Sequence, residues 1–128
     1  MIGESHVLCK GLGTRSMGNE KSREPLLTRV IRSRVVSHIR ENAKQKEIYI
    51  DRLNGYTDHL HCLFGLNAET TIAKTLQLIK GESAYWVNKE RVSAVTFEWA
   101  NEYFAVSVSE SALESVRAYI DNQEAHHT

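Results

Sequence analysis

Asn54-Gly55 lies between two runs of alternating apolar and polar residues, and no other pair in the chain limits the fold as tightly. Before it stands Glu47-Ile48-Tyr49-Ile50-Asp51-Arg52-Leu53, and after it a strand-like run from Tyr56 to Leu66. Asn-Gly at such a junction is the strongest short-range hairpin signal, because both residues accept the positive φ that a two-residue turn demands. Two adjacent antiparallel strands are therefore expected in the middle of the chain. In the second, Leu60, Cys62 and Phe64 face one side and His59, His61 and Leu63 the other, since alternate strand residues share a face.

Around this hairpin, strand and helix patterns alternate. Residues 3–14 read as a weak first strand through His6-Val7-Leu8-Cys9, interrupted by Gly11 and Gly13. Residues 15–25 are polar, hold the single proline Pro25, and read as a loop. From Leu26 to Asn42, Leu27, Val30, Ile31, Val35 and Ile39 recur at helical spacing, with arginines on the opposite face. Thr70 or Thr71 opens a second helix that buries Ile72, Leu76, Ile79 and Trp86. Val95 to Trp99 and Phe104 to Val108 read as short strands around Asn101-Glu102. Ser109 is expected to cap a last helix, Glu110 to His126, with Ala112, Leu113, Val116 and Ile120 apolar. This order predicts an α+β fold: a ferredoxin-like split β-α-β-β-α-β antiparallel sheet with an additional C-terminal helix. Two helices cover one sheet face. The other face is left for the third helix or for a ligand.

Composition excludes several classes. A chain of 128 residues, 41% hydrophobic and 25% charged, supports one modest core in a single domain, residues 1–128. No run approaches the roughly 18 apolar residues of a membrane span. The opening Met1-Ile2-Gly3-Glu4-Ser5-His6 lacks the regions of a signal peptide. No membrane partner and a cytoplasmic location are expected. Cys9 and Cys62 are too few for a disulfide framework, and each is expected as a reduced, partly buried thiol. The absence of a CxxC pair argues against structural zinc. The 16 basic and 16 acidic residues cancel, which argues against indiscriminate charge-driven binding to nucleic acid. A local patch remains, because Arg29, Arg32, Arg34, Arg40, Lys44 and Lys46 face only Glu41 and Glu47.

The chemistry concentrates in two places. His59 and His61 project side by side from a rigid strand, an arrangement that can grip a divalent metal ion. Tyr119 and Gln123 lie four residues apart on the last helix and share a face. The Gln123 amide oxygen is a candidate third ligand. Being neutral, it leaves more of the ion's charge to polarise a phosphate oxygen. Tyr119 is then a candidate nucleophile. A free phenol ionises near pH 10, and a nearby cation stabilises the phenolate. Each residue also has an ordinary reading. A lone His-x-His pair is often structural, a helical tyrosine is usually a half-buried aromatic, and His126-His127 reads as a frayed terminus. Only the conjunction points to metal-assisted attack on a phosphodiester.

These segments also carry a resemblance. Asp58-His59-Leu60-His61-Cys62-Leu63-Phe64 resembles the histidine–hydrophobe–histidine motif of the HUH nucleases. The tail Val116-Arg117-Ala118-Tyr119-Ile120-Asp121-Asn122-Gln123 resembles the tyrosine helix of the single-tyrosine transposases of the insertion-sequence-200-like families, REP-associated tyrosine transposases among them. Ile79 to Trp86 and Trp99 to Ser107 resemble them as well, so the likeness spans about residues 24–127. It implies that His59 and His61 are the metal pair, Gln123 the third ligand and Tyr119 the attacking residue, with Mg or Mn as the ion. It implies single-stranded DNA substrates flanked by imperfect hairpins. Cleavage would leave a 5′-phosphotyrosine and a free 3′-hydroxyl, which rejoins in strand transfer. It further implies a homodimer whose composite sites take the histidines from one subunit and the tyrosine helix from the other.

The chain departs from that pattern at both ends. Arg23-Glu24-Pro25-Leu26-Leu27 is present, but residues 1–25 are atypical, and the expected central first strand reads as defective. The sequence stops at His127-Thr128, where relatives often continue, which makes a truncated or decayed copy an expectation. A relaxase or rolling-circle initiator would use the same chemistry, but usually with the tyrosine helix placed differently and with further domains. A non-catalytic module that binds single-stranded nucleic acid on its sheet is the alternative of a different class. On the transposase reading, the basic helix of residues 29–46 becomes a DNA-facing surface, and Lys80 a candidate phosphate contact.

Overall fold

In a computed structural model that describes residues 5–19 and 23–123, the expected hairpin is present but its turn is displaced. Strand β2 (Ile50–Tyr56) pairs antiparallel with β3 (His59–Leu66). The register Tyr56↔His59, Gly55↔Leu60 and Asn54↔His61 leaves Thr57-Asp58 as the turn. Neither turn residue has a positive φ, so Asn-Gly chemistry is not needed there. Tertiary bonds hold the turn instead. The Leu27 amide donates to the Thr57 carbonyl at 2.8 Å and the Thr14 amide to the Asp58 carbonyl at 3.0 Å. Asn54 and Gly55 sit inside the strand for other reasons. Asn54 Nδ2 donates to the Ile120 carbonyl at 3.0 Å. A Cβ on Gly55 would collide with the His59 carbonyl and lie 2.7 Å from Leu60 Cα.

The first strand, expected to be weak, is the long central one. β1 (Ser5–Ser16) pairs with β3 on one side. On the other it pairs with β5 (Phe104–Val108) and, near its end, with β4 (Phe97–Trp99). All pairings are antiparallel, and the order is β2-β3-β1-β4 with β5 on the β4 side of β1. This is the ferredoxin-like order. Alternation in β1 is broken by a bulge: Cys9 faces Cys62, but Leu12 already faces Leu60. Gly11, at φ +70, is in the left-handed conformation within this break, as a glycine bulge requires. A period-2 reading fails across one extra residue, although the strand itself is intact.

Two cores lie on opposite faces of the sheet. On one, α1 (Arg29–Gln45) and α2 (Ile72–Lys89) cover Val7, Cys9, Leu12, Leu60, Cys62 and Phe64. Thr28 and Thr71 accept amide hydrogen bonds from Ile31 and Lys74 as N-caps. On the other face, a 3₁₀ turn (Glu110–Ala112) leads into α3 (Leu113–Asp121), whose Leu113 and Ile120 pack on Leu8 and Leu63. Nine residues are too few for an independent helix. Burial of Ile120 and Leu63, each 0% exposed, contributes on the order of 2 kcal/mol apiece and holds α3 down.

Several local expectations change. The buried stripe of α1 is Arg32, Val35, Ile39 and Ala43, while Val30 is exposed. Trp86 is half-buried and stacks on His38 at 4.0 Å. Ser109 makes no capping bond, its hydroxyl lying 3.2 Å from that of Ser111. Cys9 and Cys62 are buried thiols, as expected; burial pushes the Cys9 pKa up to about 12 and raises that of Cys62 further. No described helix is long and apolar enough to cross a membrane. The expected helix end at His126, the terminal His126-His127 pair and the chain's last residue lie outside the described residues.

Candidate active site

His59 and His61 project from β3 toward the face that α3 covers. They are 6% and 5% exposed, with ring centroids 4.7 Å apart. Each ring is held from a different side. Asp58 Oδ1 stands 2.7 Å from His59 Nδ1. An ionised carboxylate can only accept, so Nδ1 carries a proton, and in the uncharged tautomer Nε2 presents its lone pair. His61 Nδ1 accepts the amide of Gly11 at 3.0 Å, and the β1 bulge aims that amide. Burial above all, then the neighbouring charges of His59, Lys10 and Arg23, lower the His61 pKa from 6.5 to about 4. The ring is neutral at pH 7.

Gln123 closes the group, although it stands 64 positions away along the chain from His59. It is 1% exposed. Its Nε2 donates to the Tyr119 carbonyl at 3.0 Å, which fixes the amide's orientation. Oε1 is thereby turned toward His59 Nε2, 3.3 Å away. In the tautomer that bares the His59 Nε2 lone pair, that lone pair and the Gln123 oxygen would face each other in a buried place, where a cation could join them.

Two of the expected donors are spaced to suit a divalent ion. Atoms held by one ion at roughly 2.0–2.2 Å lie about 3 Å apart, and the His59–Gln123 spacing matches this. Among the described residues, no group of three or more His, Cys, Asp or Glu side chains is placed to hold a metal ion. The expected third ligand is an amide. His61 would join through Nε2 only once its Gly11 bond is released, because its ring proton would then sit on Nδ1, opposite another N–H.

Tyr119 is part of the same cluster within one chain. Its ring centroid is 5.5 Å from that of His61, and Lys10 Nζ is 5.2 Å from the Tyr119 centroid. Three attachments set α3 in this register. Asp51, the extra residue of a bulge in β2 between Ile50 and Arg52, receives Arg117 Nε at 2.9 Å and Nη2 at 2.7 Å. Asn54 holds the Ile120 carbonyl, and Arg52 Nε lies 3.2 Å from Asp121 Oδ1.

The sequence reading finds His59, His61, Tyr119 and Gln123, and the fold brings all four together. It misses Asp58 as the orienting carboxylate, Gly11 as the amide donor, and Lys10, Arg23, Asp51, Asn54 and Arg117. A glycine inside a strand often marks a bulge or a close approach, so Gly11 carried a legible signal.

The basic residues of the helical layer fall elsewhere. Arg32 is 5% exposed and donates to the Leu27 carbonyl at 3.1 Å, so it is a core residue and not part of a solvent face. Arg34 lies over the Trp86 ring at 5.9 Å, and Arg40 approaches the Ile50 carbonyl at 3.5 Å. Lys80 donates to the Ala100 carbonyl at 2.9 Å. These sit with α1 and α2, across the sheet from α3. Arg29, exposed at the start of α1, is two residues past Leu27, whose amide binds the turn before His59.

No curated protein matches the chain significantly. A protein from Deinococcus radiodurans R1, provisionally assigned as a transposase, superposes with a TM-score of 0.64 at 22% identity, over 94% of this chain and 89% of that one. The structure of a REP-associated tyrosine transposase bound to a REP hairpin also gives 0.64, at 15% identity, over 98% of this chain and 68% of that one. At such identities these two share the fold. Residues 14–123 match the family model described as transposase, IS200-like; that span starts inside β1 and ends on Gln123. The chain belongs to the IS200-like transposase family.

Proposed function

We propose that this chain cleaves and rejoins single-stranded DNA, with Tyr119 as nucleophile and a divalent ion, Mg or Mn, held by His59, His61 and Gln123. One observation carries the reading: a helical tyrosine and a buried, neutral histidine lie 5.5 Å apart, centroid to centroid, in a single chain. Gln123, one helical turn on from the tyrosine, reaches the second histidine.

The ion, when bound, polarises a phosphate oxygen and draws negative charge from the reacting phosphorus. The chain's own residues do the rest. Asp58 keeps the His59 lone pair turned inward. Gln123 ties the metal-binding face to the Tyr119 backbone, so the donors and the phenol share one frame. The Tyr119 oxygen forms a bond to phosphorus as the bond from phosphorus to the 3′-oxygen breaks. The phenol loses one proton and the departing 3′-oxygen gains one, so the step balances without a further reactant. The product is a 5′-phosphotyrosine and a free 3′-hydroxyl, which attacks in reverse to rejoin a strand.

The REP hairpin bound by the structural relative supports hairpin-flanked single strands as the substrate class. A homodimer is compatible with this reading, but a site shared between two subunits is not required, since one chain holds all four residues. A sheet that stacks bases on its open face is disfavoured: α3 lies over that face, and Leu8 and Leu63 are buried beneath it.

The test is covalent capture of a labelled, hairpin-flanked single-stranded oligonucleotide with Mn or Mg. Wild-type protein is expected to form a denaturation-resistant adduct, and Tyr119→Phe to bind the DNA without forming one. An undiminished adduct in Tyr119→Phe would exclude Tyr119 as the nucleophile.

A further inference from the structure

Gly11 and Gly13 do more than shape a bulge. The side chain of Arg23 lies along them. A Cβ on Gly13 would meet Arg23 Nε at 2.8 Å and Cγ at 2.9 Å, and one on Gly11 would meet Nη2 at 2.6 Å. Arg23 Nη2 also donates to the Gly11 carbonyl at 3.2 Å. Two residues without side chains thus form a shallow bed that lets a long cationic side chain lie flat on the central strand. Gly13 is paired across the ladder with His59, and the Gly11 amide holds His61. The guanidinium is therefore placed beside the histidine pair.

A second cation stands nearby. Lys10 precedes the bulge, and its ammonium is 5.2 Å from the Tyr119 ring centroid. Arg15, Arg52 and Arg117 are each paired with a carboxylate. Among the described residues, Arg23 and Lys10 are not. In a chain of zero net charge, two such cations flanking a tyrosine and a histidine pair form a local anion site.

We propose that Arg23, bedded on Gly11 and Gly13, acts with Lys10 as the phosphate-binding pair that receives the DNA phosphodiester attacked by Tyr119. The proposal rests on the function argued above and names the group that holds its substrate. Arginine suits this role because its planar fork meets two phosphate oxygens at once and cannot lose its proton. Charge developing on those oxygens in the transition state is met by donors already in place. The bond from Nη2 to the Gly11 carbonyl anchors the fork on the glycine bed.

The experiment uses the full chain and a hairpin-flanked single-stranded oligonucleotide, with two readouts. The first is the salt dependence of DNA affinity, measured by fluorescence anisotropy in a Tyr119→Phe background, where no chemistry intervenes. Arg23→Gln or Lys10→Gln is expected to make the log–log slope shallower by about 0.7 for each phosphate no longer neutralised. The second is the rate of adduct formation at saturating DNA in the Tyr119 protein, expected to fall by about 100-fold in Arg23→Gln. Gly13→Ala separates position from charge. It keeps Arg23 but fills the bed, and it is expected to slow adduct formation in the wild-type background and to do nothing further in Arg23→Gln. Unchanged slope and unchanged rate in both charge variants would overturn the proposal. So would a Gly13→Ala loss that persists in Arg23→Gln. The slope requires no adduct, so it decides this inference even where the wild-type chain fails to react and the nucleophile assignment falls.

Discussion

Asp51 and Arg117, 66 positions apart along the chain, meet in a two-pronged ion pair at 2.9 and 2.7 Å. The Asp51 side chain is 1% exposed. Arg117 is two residues before Tyr119. The pair therefore fixes both the depth and the rotation of the tyrosine helix against β2. Charge-assisted hydrogen bonds to a buried carboxylate add direction to the apolar packing that holds these nine helical residues down. Arg117→Gln should lower stability, because the buried Asp51 carboxylate loses its two-pronged partner. It should also cut adduct yield more than DNA affinity, because the phenol loses its register while the rest of the surface stays. Urea melts and covalent capture measure the two effects. Equal losses in yield and affinity would show that the pair merely holds the fold together.

Asp58 is expected to act through His59 alone. Asp58→Asn replaces a pure acceptor with a group that can also donate, so the His59 proton is no longer pinned to Nδ1 and its lone pair no longer pinned inward. Loss of such an orienting partner typically weakens metal binding by about 10–100-fold. Mn affinity measured by electron paramagnetic resonance should fall accordingly, with DNA affinity in the absence of metal unchanged. Asp58 is half-exposed at a turn, so the substitution should leave the melting temperature nearly intact. Unaltered Mn affinity would remove Asp58 from the site.

The legible parts of this molecule are those that periodicity controls. Two-residue alternation in β3 puts His59 and His61 on one face and Leu60, Cys62 and Phe64 on the other, and the two cores divide in that way. Helical spacing puts Tyr119 and Gln123 together. What sequence hides is partnership. Gly11 and Gly13 read as interruptions because neither His61 nor Arg23, which need them small, is a neighbour in sequence. Asn54-Gly55 reads as a turn because the pair permits one, whereas its constraints come from Ile120 and the backbone of His59. Arg32 reads as surface because charge is assumed to seek water, yet the Leu27 carbonyl at the start of α1 accepts its guanidinium in the core.

His61 makes stability depend on pH in a defined window. Its pKa is lowered, chiefly by burial, from 6.5 to about 4. The unfolded chain takes up this proton first. Stability is therefore full above about pH 6.5 and falls as pH drops toward 4, because protonation favours the unfolded state over that range. Asp51 acts at lower pH. Arg117 holds its carboxyl below the ordinary value of 3.8, so its contribution is lost only as pH falls beneath that value. Thermal midpoints of the metal-free protein should decline between pH 6.5 and 4, and His61→Gln should flatten that decline. A wild-type profile as flat as that of His61→Gln would show that His61 is not buried as a neutral ring.

Glycine substitutions separate close approach from mere flexibility. A Cβ on Gly55 would collide with the His59 carbonyl and come within 2.7 Å of Leu60 Cα. Both are backbone atoms, so neither can rotate away and β3 itself must shift. Gly55→Ala should destabilise the protein by about 2–3 kcal/mol, as overpacking does, and should weaken Mn binding by displacing His59. Gly81 offers the opposite case. It lies within α2 with open space where its Cβ would sit, and alanine there should stabilise by about 0.5–1 kcal/mol through helix propensity. Urea denaturation of the two variants should move the midpoint in opposite directions. A Gly55→Ala protein as stable as wild type, with Mn affinity intact, would mean that β2 and β3 do not meet as closely as the register Gly55↔Leu60 requires.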